Sequence, residues 1–149
     1  MTTIAVDKNS ISCDLQFSYR ELKFKGKTKI ITLKPKVASA LFGVEQAYIG
    51  FAGNADIWGH VVSWFAVPDD SPPRCKGIEF LLLTSERKIY HGSNMTNWLE
   101  LDEPYFSIGT GSLLAMGALA NGKTTKEAIQ TAMLHDPMTG MGIKTYNLK

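Results

Sequence analysis

Sulfur chemistry is scarce in this sequence: 149 residues include only two cysteines, Cys13 and Cys75. They form no CxxC pair and no regular spacing, which argues against a disulfide scaffold or a zinc ribbon and fits a reducing compartment. His60, His91 and His135 are scattered, with no HExxH or comparable spacing, so no metal centre is expected. An excess of one charge is missing too. Sixteen Lys and Arg face fourteen Asp and Glu, a net charge of +2, which is too small to drive binding to nucleic acid or a membrane surface. The longest apolar runs, such as "FLLL", cannot cross a bilayer, and the N-terminus lacks a signal-peptide pattern. No repeat, linker or low-complexity tract interrupts the chain. The expectation is therefore a soluble, cytoplasmic protein, residues 1–149 forming one domain, without cofactor or metal.

What is present is an ordinary globular composition, 44% hydrophobic and 20% charged. "TTIAV" and "ISCDLQFSY" are β-prone runs joined by the turn-rich "DKNS", which predicts a hairpin. "TKIITL", "SALFGV" and "AYIGFAG" read as further strands. In "ADIWGHVVSWFA" the residues Trp58, Val61, Val62 and Phe65 recur at helical spacing, and the proline-rich "VPDDSPPRCKG" ends that helix. "IEFLLLT" and "KIYHG" predict a second hairpin, and "PYFSIGTGS" a strand ending in glycines. Two helices follow, "SLLAMGALAN", stopped at Gly122, and "TKEAIQTAMLH", opened by a Thr124–Glu127 capping box. "IKTYNL" predicts a last strand. This order points to an α+β fold with segregated elements.

Several motifs carry less than their spelling suggests. "GALANGKT" (117–124) matches the P-loop expression, but its first glycine falls inside a predicted helix, whereas phosphate binding needs a strand before the loop. Lys23, Lys25, Lys27 and Lys29 alternate, so an extended segment places them on one face. For the group, a solvated strand face guarded against edge pairing explains this better than a phosphate stripe, with Lys29 as the exception. Cys13 lies in a predicted strand without a basic neighbour and reads as a core residue.

The chain start is different. Loss of Met1 would leave Thr2 with a hydroxyl and a free α-amino group on one residue. An α-amino group, with a reference pKa of about 7.7–8.0, can act as a base near neutral pH and activate that hydroxyl. "TTIAVD", "SCDLQ", "KTKIITLKP", "GFAGNAD", "SIGTGS" and "DPMTGMG" follow one another in the order of segments in a known family. On these pieces the chain resembles the N-terminal-nucleophile (Ntn) hydrolases of the proteasome β-subunit and HslV peptidase type, particularly the short phage forms.

The resemblance implies a four-layer αββα sandwich with a reduced helix layer. It also implies a threonine-type peptidase with catalytic residues Thr2, Asp14, Lys29, Gly53, Thr110, Asp136 and Thr139, and with Phe51, Ala52 and Gly140 on the substrate side. Lys29 would favour the alkoxide and Asp14 would hold the ammonium. The Gly53 N–H would receive the oxyanion, while Thr110, Asp136 and Thr139 would position the amine. Implied partners are a peptide or protein substrate and further copies in a homo-oligomer; an ATPase partner belongs to the family, with no residue in this chain calling for it. Thr110 and Thr139 stand where serines are usual, about nine extra residues surround "KVASALFG", and one helix replaces two after the glycine turn. The extra residues leave Lys36 as a competitor for Lys29. The alternative reading is a catalytically silent binding or assembly module acting on a host protease.

Overall fold

Strand alternation at the chain start sets up the whole architecture. β1 (Thr3–Asp7) and β2 (Ser10–Asp14) form the expected hairpin, pairing Ile4 with Cys13 and Val6 with Ile11. Asp7 makes the turn, its carboxylate accepting the backbone N–H groups of Asn9 and Ser10 at 2.8 Å each. This computed structural model describes residues 2–95 and 97–149. Met1, whose loss would free the Thr2 amine, lies outside the described residues.

Beyond the hairpin the chain bends at Leu15, so the single run "ISCDLQFSY" becomes two strands. β3 (Gln16–Tyr19) pairs with β4 (Leu22–Lys25) in a separate ribbon. β5 (Ile30–Thr32) follows. "SALFGV", expected as a strand, is instead the end of a helix, α1 (Pro35–Phe42). Pro35 occupies its first turn, and Gly43, at φ 66°, closes it in the left-handed conformation. These end signals outweigh an apolar run too short for its period to separate helix from strand.

β6 (Ala47–Gly53), a short 3-10 turn (Ala55–Ile57) and α2 (Trp58–Ala66) come next, then β7 (Ile78–Thr84), β8 (Ile89–Gly92) and β9 (Trp98–Leu101). β9 has no counterpart among the strands expected from sequence. β10 (Tyr105–Gly109), α3 (Ser112–Ala120), α4 (Thr125–His135) and β11 (Ile143–Asn147) complete the chain. The Thr124–Glu127 capping box is formed, and Gly117 lies within α3, away from any phosphate loop.

Among the described residues the strands pair antiparallel, in sheets ordered β10-β1-β2-β11 and β5-β6-β7-β8-β9 beside the β3-β4 ribbon. The fold is thus mixed α and β, with antiparallel sheets and four α-helices among the described residues. Ile4, Val6, Ile11 and Cys13 meet Tyr48, Leu81 and Leu83 in one core cluster between the two larger sheets. The opposite face of the first sheet receives α3 and α4 through Ala5, Ala115, Leu119 and Ile129. There the β2 residues Ser10 and Ser12 bond the buried Thr125 hydroxyl of α4 at 2.6 and 2.8 Å. The other sheet receives α1 and α2 through Ala38, Ile49, Val61, Phe65 and Phe80. Hence α1, formed by the extra residues around "KVASALFG", packs on this sheet beside the one α-helix that follows the glycine turn. Among the described residues, no helix is long and apolar enough to cross a membrane.

Gly50 marks a close sheet-to-sheet approach: a Cβ there would stand 2.6 Å from Ile4 Cγ2 and 3.3 Å from Ile11 Cδ1. Overpacking of this kind costs about 1–3 kcal/mol. Gly50→Ala is expected to lower the urea midpoint by that equivalent with an unchanged m-value. A midpoint equal to wild type would show that the sheets part freely at this point.

Candidate active site

The end of β2 delivers Asp14 into the interior, where it has no exposed side-chain surface. A buried carboxylate is stable only when its oxygens are satisfied, and five donors do so. Oδ1 accepts the Thr2 hydroxyl at 2.8 Å, the Thr3 N–H at 3.0 Å and Lys29 Nζ at 2.8 Å. Oδ2 accepts the N–H groups of Gln16 at 3.3 Å and Gly140 at 3.1 Å. Lys29 Nζ also donates to the Gln16 carbonyl at 2.5 Å and sits 5.0 Å from the Phe17 ring centre. Burial pushes the Lys29 ammonium below its ordinary 10.5, partly offset by the Asp14 carboxylate. Lys36, the competitor, is exposed on α1.

A second cluster is built at the C-terminus of α4. Pro137 keeps the preceding residue out of helical conformation, and Asp136 caps the helix with φ −97° and ψ 110°. Asp136 Oδ2 accepts the hydroxyls of Thr110 at 2.7 Å and Thr139 at 2.5 Å, and Oδ1 accepts the Met138 N–H at 3.0 Å. Each hydroxyl has one proton, so the directions follow. The Gly111 N–H donates to Thr3 Oγ1, which donates to Thr139 Oγ1 at 2.7 Å, which donates to Asp136. The Thr110 N–H donates to the Thr2 carbonyl at 2.8 Å. The two clusters therefore clasp the start of β1 from opposite sides. Burial raises the Asp136 carboxyl, but the hydrogen bonds from Thr139, Thr110 and Met138 outweigh it and hold the group below its usual 3.8.

Thr2 and Lys29 open onto a cleft of about 410 Å³, lined also by Phe17, Ser18, Phe51, Gly53, Asn54 and Lys76. Phe51 is held by Trp58 and Phe80, with ring centres 4.9 and 5.7 Å away. Gly53 ends β6 at φ 133°, and a Cβ there would lie 2.5 Å from the Gly77 carbonyl oxygen, so glycine alone fits. Of the residues expected on the substrate side, Phe51 lines the cleft. The Ala52 side chain turns into the core between the sheets, as alternation with Phe51 requires. Gly140 serves Asp14 rather than the cleft wall.

The larger pocket elsewhere, beside α1, is lined by Lys34, Ser39 and Glu86 among others and contains none of these groups. Cys13 is in the core, and burial pushes its thiol up to about 11, which makes it a poor nucleophile at neutral pH. His60 and His135 are exposed, and His91 bonds Glu79 at 2.9 Å. Among the described residues no group of three or more His, Cys, Asp or Glu converges on a metal-sized site.

Thr3, Gln16, Phe17, Asn54 and Lys76 also belong to the site or its cleft, beyond the residues expected from sequence. Thr3 had a signal, since alternation sends neighbouring hydroxyls to opposite faces. Gln16 and Phe17 depend on the ribbon and Lys76 on the proline-rich loop folding over the site, while Asn54 follows Gly53 at the end of β6.

No family model and no curated protein matches this chain. Solved structures do match. Thiobacillus denitrificans BPH superposes with a TM-score of 0.69 at 14% identity, over 99% of this chain and 98% of that one. BPH in complex with epoxomicin gives 0.70 at 14% identity, with the same coverage. Eukaryotic HslV from Trypanosoma brucei gives 0.66 at 15% identity, covering 99% of each chain. The chain thus has the Ntn-hydrolase fold of the proteasome β-subunit and HslV type.

Asp136 supplies a test of the second cluster. Its carboxyl is held below the ordinary value, so its contribution to stability is complete above about 3.8 and is lost as pH falls through the lower folded value. Asp136→Asn is expected to flatten this acid limb in pH-dependent denaturation; an unaltered limb would show that the hydroxyls do not stabilise the ionised form. In the first cluster, Asp14→Ala leaves a buried ammonium without its counter-charge. The expected loss is about 3–5 kcal/mol in urea denaturation, and a loss below about 1 kcal/mol would contradict a buried pair.

Proposed function

We propose that this chain is a threonine-type peptidase whose nucleophile is Thr2 Oγ1 after removal of Met1. One observation carries the reading: the Thr2 hydroxyl and the Lys29 ammonium meet on a single oxygen of Asp14 at the edge of a cleft. The BPH complex with epoxomicin and the HslV likeness support it.

With an amide nitrogen Thr2 carries no basic amine of its own, and its hydroxyl donates to Asp14 Oδ1. A free α-amino group supplies the base. It takes the hydroxyl proton as Oγ1 attacks the peptide carbonyl, while the Lys29 charge favours the developing alkoxide. The Gly53 N–H receives the oxyanion, a contribution of the kind worth about 10²–10³ in rate. The protonated amine then gives its proton to the departing amine, leaving an ester on Thr2. Water, deprotonated by the same α-amino group, attacks the ester; the ammonium returns that proton to the leaving Thr2 Oγ1, and the carboxylic acid departs. Asp136, Thr110 and Thr139 position the amine, with the Thr110 N–H holding the Thr2 carbonyl at 2.8 Å. In this reading the elements stack as a four-layer αββα sandwich, and the protein works in the cytoplasm as a homo-oligomer.

The test joins intact mass to turnover. The expressed chain is expected to lack the mass of Met1 and to hydrolyse peptide amides. Thr2→Ala and Lys29→Ala should each reduce kcat by at least about 10³, the order seen when a member of such a unit is removed. Epoxomicin is expected to inhibit wild type and to leave no adduct on Thr2→Ala. A retained Met1 without turnover would leave the silent binding module as the reading. Equal turnover by wild type and both variants would remove the site assignment.

A further inference from the structure

The charge of the cleft names a class of substrate. Its wall and mouth carry two ammonium groups, Lys29 and Lys76, and no carboxylate among the lining residues. Lys29 is engaged by Asp14 and the Gln16 carbonyl. Lys76 is exposed and makes no ion pair among the described residues. Nearby acids along the chain do not neutralise it from within the cleft: Glu79 bonds His91 at 2.9 Å, and neither Glu79 nor Asp56 lines the cleft.

Lys76 also lies beside the reacting region. Gly53 pairs with Ile78 across the β6–β7 ladder, and Gly53 packs so closely on the Gly77 carbonyl that no Cβ fits between them. The residue next to Gly77 is thereby placed near the amide assigned to the oxyanion. Phe17 and Phe51 supply apolar walls, and the Phe51 ring is braced from behind by Trp58 and Phe80. The volume of about 410 Å³ falls within the range of pockets that hold small ligands. Apolar walls with an exposed cation at the rim suit a side chain with a methylene stem and a carboxylate end.

We infer that this cleft selects peptides presenting an acidic side chain, with Lys76 as the selecting cation. The inference rests on the peptidase reading for the position of the cleaved bond. An exposed ion pair changes an equilibrium modestly, so the expected discrimination is about three- to tenfold and shrinks with added salt.

The experiment compares three peptides that differ only in the residue donating the cleaved carbonyl: Glu, Gln or Lys. Chain shown by intact mass to lack Met1 is expected to cleave the Glu peptide about three- to tenfold faster in kcat/KM than the Lys peptide. Lys76→Gln should remove the difference and Lys76→Glu should invert it, with circular dichroism confirming that both variants fold. Hydrolysis indifferent to the three peptides overturns the selection and leaves the peptidase reading standing. If no peptide is cleaved, the peptidase reading falls, and fluorescence anisotropy with labelled Glu and Lys peptides on Thr2→Ala chain decides the selection separately. Tighter binding of the Glu peptide, lost in Lys76→Glu, upholds an acidic-peptide cleft. Equal binding, or none, overturns it.

Discussion

Five hydrogen bonds into one buried carboxylate hold this molecule in register. Asp14 draws together the start of β1, the start of β3, the segment entering β5 and the turn before β11. The desolvation of a carboxylate and an ammonium is offset only while all these donors stay in place. Polar satisfaction thus dictates where four separate backbone segments must lie, and apolar packing around Cys13 and Leu15 then seals them. The same demand aligns a hydroxyl, an ammonium and a cleft, so the structural constraint and the proposed chemistry share one atom, Asp14 Oδ1.

Across β1 a second constraint acts in the opposite direction. Strand alternation sends Thr2 toward Asp14 and Thr3 toward Thr139, and the hydroxyl chain ends on Asp136. A chain start that would ordinarily fray is clasped from both sides. Gly111 allows this approach, since a Cβ there would lie 2.9 Å from Ala132 Cβ and 3.1 Å from Thr139 Oγ1. The ends of β2 and α4, far apart in sequence, therefore act as two jaws on one dipeptide.

Much of this was legible beforehand. Turn chemistry at Asp7, the capping box at Thr124 and the period of α2 and α4 are local, and local physics writes them into neighbouring residues. Other elements were ambiguous for a local reason. "SALFGV" is too short for its apolar period to choose between strand and helix, and Pro35 with Gly43 decided it. β9, with its mixed "WLEL", gained its identity from pairing with β8, and pairing is a property of the partner strand as much as of the sequence.

By itself the sequence determined the β1–β2 hairpin, the periods of α2 and α4, and a set of polar residues matching one family's order. It could not determine their convergence. The donors on Asp14 come from as far as 126 positions away, and only closure of the sheets brings such residues within hydrogen-bonding distance. Tertiary structure alone decided that Lys29 rather than Lys36 meets Asp14, and that Phe17 and Lys76 border the cleft. Local propensity acts over a few residues, whereas a site is made by the desolvation and packing of surfaces that meet only after folding.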